Sequence, residues 1–132
     1  MRETYRESGG FEEAAAYSRA VRVGRHVAVS GTAPLRPDGA VLYPGDCYAQ
    51  TREAFRRALE AAERLGASRD DVLRTRVLLA PGADWQGAVR AHREAFAGVN
   101  PANTTYFAGG LIPEGALVEV ELDAVIEDAP PR

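Results

Sequence analysis

The chain reads as a single α+β domain, a mixed β-sheet with two helices packed on one face. Three observations predict this. The closing stretch 117–126 alternates strictly, with Val118, Val120, Leu122, Ala124 and Ile126 on one side and Glu119, Glu121 and Asp123 on the other, the two-residue period of a half-buried strand. Two longer stretches, 47–65 and 85–97, carry apolar residues at helical spacing. The segments follow the order β-β-β-α-β-α-β-β, and two helices can cover only one face of such a sheet.

The elements follow in order. Residues 1–10 are polar and read as an N-terminal extension. Residues 17–23 and 26–32 form two strands joined at Gly24-Arg25, a two-residue hairpin with glycine at its first central position. After a loop containing Pro34, Pro37 and Gly39, the apolar run 40–43 reads as a short strand, and Pro44-Gly45-Asp46 leads into a helix cap. The first long helix places Tyr48, Phe55, Leu59, Ala62 and Leu65 on one stripe and stops at Gly66. Ser68 and Asp71 are spaced as a capping pair. Strand 72–80 follows, with Leu73, Thr75, Val77 and Leu79 on one face and Arg74 and Arg76 on the other. The second long helix, capped by Asp84, stacks Trp85, Val89, His92 and Phe96. Asn100-Pro101 breaks the chain before a short strand at 104–108, a loop at 109–115 and the closing strand; residues 128–132 are a tail. The whole of 1–132 is one domain.

Composition narrows the chemistry. At 132 residues with 45% hydrophobic and 27% charged residues, the chain can bury a sizeable core without staples. A net charge of -3 gives no reason to expect nucleic-acid or membrane partners, and no stretch is long and apolar enough to span a bilayer. Cys47 is the only cysteine, which allows no internal disulfide and makes the cytoplasm the expected address. All sixteen basic residues are arginine, so lysine Schiff bases and a phosphate-loop lysine are excluded. With two histidines and one cysteine there is no cluster of zinc-ligand spacing, and neither a metal nor a cofactor is expected. Carboxylates, arginines, hydroxyls and backbone amides remain.

Each candidate has a bland reading beside its chemical one. Glu119 and Glu121 could act as a general base or merely face solvent; Arg74 and Arg76 would neutralise them if the two strands are neighbours. His92, on an apolar stripe, reads as packed rather than catalytic. Arg90 and Arg93 lie off that stripe, solvated unless a partner subunit meets the helix. Cys47 sits in a first helical turn, where its thiol could be activated or simply fill space. Ser30-Gly31 inside an apolar strand marks a close approach of backbone or ligand, and Tyr17 offers a hydroxyl.

Several segments occur in the order found in one family: Tyr17-Ser-Arg-Ala-Val-Arg-Val-Gly, Val27-Ala-Val-Ser-Gly-Thr-Ala-Pro34, Asp71-Val-Leu-Arg-Thr-Arg-Val-Leu-Leu79, His92-Arg-Glu-Ala-Phe96, Asn100-Pro-Ala102, and Leu111-Ile-Pro with Leu117-Val-Glu-Val-Glu121. Over about residues 11–127 the chain resembles the RidA/YjgF family of reactive intermediate deaminases. The resemblance implies a chorismate-mutase-like fold assembled as a homotrimer, with ligand clefts between subunits. It also implies cofactor-free hydrolysis of enamine or imine intermediates, such as 2-iminobutanoate, to keto acid and ammonia. Carried over by position, Glu119 positions the attacking water, and Tyr17, Ser30 and Gly31 line the cleft. The family's substrate-clamping arginine has no counterpart, because Pro101-Ala102 is followed by Asn103 and Thr104, the residues then expected to contact a small carboxylate-like metabolite. Asparagine lacks the charge and the two-pronged fork of a guanidinium, so Arg90 or Arg93 of a neighbouring subunit is the substitute clamp considered. Two functions follow: a hydrolase acting on C–N bonds, or a non-catalytic metabolite-binding or regulatory trimer. Ribonuclease or translation-inhibitor activity, attached to some relatives, finds no basic patch with interleaved aromatics.

Overall fold

The apolar row of the closing strand becomes the spine of the core. In the structure, a computed structural model that describes residues 1–7 and 11–127, Val118, Val120, Leu122 and Ala124 are fully buried. The expected tail 128–132, and residues 8–10 of the expected extension, lie outside the described residues. The elements are β1 (Arg2–Tyr5), α1 (Phe11–Ala15), β2 (Ala20–Val23), β3 (His26–Thr32), α2 (Cys47–Arg64), β4 (Val72–Leu79), α3 (Trp85–Phe96), β5 (Ala102–Phe107) and β6 (Val118–Val125). They build one sheet in the order β1-β2-β3-β6-β4-β5.

Topology explains why one face stays bare. β3 and β4 both run antiparallel to β6, which lies between them, and β5 runs parallel to β4. The crossovers β3-α2-β4 and β4-α3-β5 therefore step across the sheet in the same direction. Right-handed connections then set both helices on the same side. α2 starts at Asp46, whose side chain accepts from the Ala49 amide, and α3 starts at Asp84, which accepts from Gly87. Gly66, at φ +96°, lets the chain turn back after α2. None of the described helices is long and apolar enough to cross a membrane.

Local pattern misjudged several places. Arg2–Tyr5 is no loose extension: it pairs antiparallel with β2 as an edge strand whose mostly exposed side chains leave no alternation to read. α1 was likewise too short to show a period. Residues 40–43 make only an isolated bridge, Leu35 to Val41. The buried face of α2 is formed by Gln50, Thr51, Ala54, Ala58, Ala61 and Ala62 beside Phe55, not by the larger stripe through Tyr48 and Leu59. Small side chains let the helix lie close on the sheet, and large ones sit at its flanks. In the same way α3 buries Gly87, Ala88, Ala91 and Phe96, while Trp85 and Val89 are 48% and 46% exposed.

Leu73 is the remaining correction. A register shift between Val72 and Arg74 against β6 inserts it as an extra residue, so it points out and is exposed, while Thr75, Val77 and Leu79 face the core as expected. Phe55 anchors that core, edge-on to Phe96 at 5.1 Å and to His92 at 5.4 Å. Replacing Phe55 with alanine is expected to lower the unfolding free energy by about 3–5 kcal/mol. Urea denaturation at neutral pH would show this as a lower midpoint with an unchanged slope.

Candidate functional site

The bare face of the sheet carries the charges. Arg76 of β4 stands opposite Glu121 of β6; its Nη1 lies 3.4 Å from the Glu121 carboxylate and 3.6 Å from that of Asp123. The conditional expectation from alternation holds in part: the strands are neighbours and Arg76 pairs with Glu121 and Asp123, but Glu119, expected to be neutralised with Glu121, is not reached. Such partly exposed pairs contribute about 0.2–1 kcal/mol each. Glu119 stands apart, because its neighbour on β4 is Leu78.

What Glu119 meets is Gly31. Between the partners Val29–Leu122 and Thr32–Val120, Ser30 and Gly31 both oppose the single residue Glu121, a β-bulge that re-aims the strand. A Cβ on Gly31 would lie 2.8 Å from Glu119 Oε1 and 3.2 Å from its Cδ. A side chain at this position would have to displace the Glu119 carboxylate, the close approach that a glycine inside an apolar strand indicated. Ser30 ties the preceding segment to this wall: its Oγ donates to the Ser18 carbonyl at 2.6 Å and its amide to the Arg19 carbonyl at 2.9 Å. Tyr17, which precedes β2 rather than belonging to it, is thereby held at the rim. Tyr17, Val21, Ser30, Gly31, Glu119 and Glu121 line a shallow concavity of about 530 Å³. Tyr17, Ser30, Gly31 and Glu119 thus come together from three separate segments.

Burial raises the Glu119 carboxyl above its ordinary range; Arg19 draws it back and Glu121 pushes it up further. Sequence reading passed over Arg19, whose charge reaches Glu119; the signal was an arginine two positions from Tyr17, immediately before β2.

Asn103 goes elsewhere. On β5 it pairs with Thr75, a fully buried residue of the helix-covered face. Its Nδ2 donates to Thr75 Oγ1 at 3.0 Å, and Thr105 Oγ1 donates to its Oδ1 at 2.9 Å. Thr75 Oγ1 lies 2.7 Å from His92 Nε2. Thr75 Oγ1 thus accepts from Asn103 and shares a second hydrogen bond with His92 Nε2, whose direction follows the imidazole tautomer. Burial lowers the His92 pKa, in keeping with a neutral ring packed between Phe55 and Phe96. Thr104 alternates to the bare face opposite Arg76. Asn103 and Thr104 therefore project to opposite sides, and within one chain Asn103 cannot face Glu119.

The other candidates lie on the helix side. Arg90 and Arg93 are exposed on α3; the Arg90 guanidinium lies 4.0 Å from the centre of the Tyr48 ring, whose hydroxyl donates to Glu94. Neither reaches Glu119 within its own chain. Cys47 is buried, and burial raises its thiol pKa, the opposite of activation.

Comparison with known proteins agrees with this geometry. The family model described as Endoribonuclease L-PSP matches residues 10–126. An uncharacterized protein of Streptomyces coelicolor is 41% identical over 115 residues, covering 86% of this chain and 84% of its own. The 2-iminobutanoate/2-iminopropanoate deaminase of Mus musculus is 33% identical over 109 residues, 83% of this chain and 80% of its own. Among solved structures, a Mycobacterium tuberculosis member of the YjgF family superposes with a TM-score of 0.84 at 36% identity, over 96% of this chain and 100% of that one. RidA from an Antarctic Psychrobacter gives 0.76 at 26% identity, over 93% and 94% of the two chains.

Two outcomes follow. A carboxyl whose pKa is raised by folding stabilises fully below its unfolded value and loses that contribution as pH rises through the folded value. Glu119→Gln is therefore expected to raise Tm at pH 7–8 and to lose this advantage near pH 4, as read by thermal melts across pH. Thr75→Val removes the hydroxyl shared by the half-buried His92 Nε2 and the exposed Asn103 amide, and is expected to cost about 0.5–1.5 kcal/mol in urea denaturation.

Proposed function

The chain belongs to the Endoribonuclease L-PSP family, the YjgF/RidA family, and from that premise we propose that it is a homotrimer whose inter-subunit clefts hydrolyse a small enamine or imine to a carbonyl compound and ammonia. The observation that carries the reading is Glu119: its two neighbouring acids are held by Arg76, while its own carboxylate lies over Gly31 in the concavity with a raised pKa. A carboxylate made more basic by burial is suited to take a proton from water at neutral pH.

The chemistry balances without a cofactor. An enamine tautomerises to the imine by gaining a proton on carbon and losing one from nitrogen. A water oxygen then adds to the imine carbon as Glu119 accepts one water proton, and the nitrogen is protonated. Glu119 returns its proton to the amino group of the carbinolamine, the C–N bond breaks, ammonia leaves, and the remaining hydroxyl proton passes to solvent as the new C=O forms. Ser30, Gly31 and Tyr17 form the wall against which the substrate is oriented.

Assembly is supported by the uncovered sheet. Val23 and Tyr106 share the acid-bearing face and are 52% and 45% exposed, an apolar complement for a second copy. Asn103 and the exposed Arg93 project from the opposite side of the sheet, so only a neighbouring subunit brings them to a cleft containing Glu119. Arg93 is the better substitute clamp, since Arg90 is engaged on Tyr48. A cytoplasmic address fits a chain whose single cysteine is free and buried. Asn103, neutral where relatives place a cation, favours the second reading, a binding or regulatory trimer for a metabolite without a strong carboxylate requirement.

Freshly generated 2-iminobutanoate should release ammonia and keto acid faster with the protein than without it. Glu119→Gln should lose about 10²–10⁴-fold of that rate, and sedimentation should give the mass of three chains. Background rates from a folded trimer that small metabolites nonetheless stabilise against heat would decide for the binding reading.

A further inference from the structure

We propose that Glu12 and Arg19 form a buried charge pair that holds the Gly31 wall and sets a positive charge behind the site, with Arg19 as the positioning residue and Glu12 as its anchor. The inference rests on the reading of Glu119 as the working carboxylate.

The geometry begins on α1. Glu12 is only 4% exposed, its Oε1 lies 3.7 Å from Arg19 Nε, and its Oε2 has no hydrogen-bond partner. The Arg19 side chain is 11% exposed. Its Nη2 donates to the Gly31 carbonyl and to Thr32 Oγ1 at 3.3 Å, and its guanidinium lies 5.8 Å from the centre of the Tyr17 ring. Arg19 thus grips the residue over which Glu119 lies, and stands beside the tyrosine of the rim. With Nε turned to Glu12 and Nη2 committed to backbone and hydroxyl oxygens, this arginine is a fixed strut rather than a clamp that could leave to meet a ligand.

A pair of this kind is a poor device for stability. Two buried charges give up hydration that their mutual attraction does not reliably return, and a buried carboxylate oxygen without a donor adds a further cost. Its placement is explained by what it does to the site. The Arg19 hydrogen bond fixes the orientation of the Gly31 carbonyl, and with it the path of the bulge beside Glu119. The guanidinium charge opposes both burial and Glu121, the two influences that favour the protonated form of Glu119. The other groups facing Glu119 do not replace it: Leu78 is neutral, and Arg76 is held by Glu121 and Asp123. Glu12 in turn holds Arg19 in place, so α1 is coupled to the site through one ion pair.

The test needs no substrate. In full-length protein labelled with ¹³C-glutamate, the side-chain carboxyl of Glu119, identified by its loss in Glu119→Gln, is titrated by NMR. Arg19→Gln is expected to raise the Glu119 midpoint by about one pH unit, the lower end of what loss of a nearby opposite charge produces. Arg19→Lys should restore part of that shift, because it keeps the charge but not the fork. If Glu12 anchors Arg19, the Arg19→Gln shift should be smaller in the Glu12→Gln background than in the wild-type chain. An unchanged midpoint in folded Arg19→Gln, or an Arg19→Gln shift of equal size with and without Glu12, overturns the proposal. Absence of imine hydrolysis with these shifts present would sink the deaminase reading and leave the pair in its role.

Discussion

The packing of β6 against α2 is the constraint on which the rest of the molecule depends. Val118, Val120, Leu122 and Ala124 can be buried only if a helix lies on them, and the alanines of α2 allow that helix to approach closely. Once that face is chosen, strict alternation sends Glu119, Glu121 and Asp123 to the other. Because both crossovers step the same way across the sheet, no third layer is left to cover it. The bare, charged face is the direct consequence of how the core is closed.

On that face a single register decides which acid is free. Arg76 falls opposite Glu121 and reaches Asp123 as well, whereas Leu78 falls opposite Glu119. The bulge at Ser30-Gly31 then adds the second element, a wall without side chain on which the unpaired carboxylate can lie. Two local irregularities, one glycine and one extra residue, thus separate a site from a solvated strand. Arg19 acts from behind the same glycine, so the positive charge associated with Glu119 within this chain comes from β2's approach and not from β5.

The far side of the sheet has a different character. Thr105, Asn103, Thr75 and His92 form a continuous hydrogen-bonded chain. It is neutral, and it sits behind the strand that bears the charges of the open face. In the proposed trimer the cleft joins these two unlike surfaces from neighbouring chains, a cation-braced carboxylate on one and an amide on the other. The ligand class is then set by a pairing that no single chain contains.

Much of this was legible in the residues themselves. The two-residue period of the closing strand, the capping aspartates before both long helices and the glycine inside an apolar strand each report a local requirement of the backbone. For that reason the fold class, the mixed sheet and the close approach at Gly31 could be read directly, whereas the pairing of Arg76 with Glu121 was conditional on the two strands being neighbours. Periodicity was less able to rank faces: it favoured large residues such as Tyr48, Trp85 and Val89, while burial went to small ones that let helix and sheet touch. It could not see β1, an edge strand with no alternation, or the bulge at Leu73, which changes the face of one residue without changing the pattern around it. Nor could it place Asn103 relative to Glu119 or find Arg19 behind Gly31. Those relations depend on strand order and register, which join residues far apart in the chain. The sequence by itself therefore determined the elements and their apolar faces; which groups meet was decided only when the strands came together.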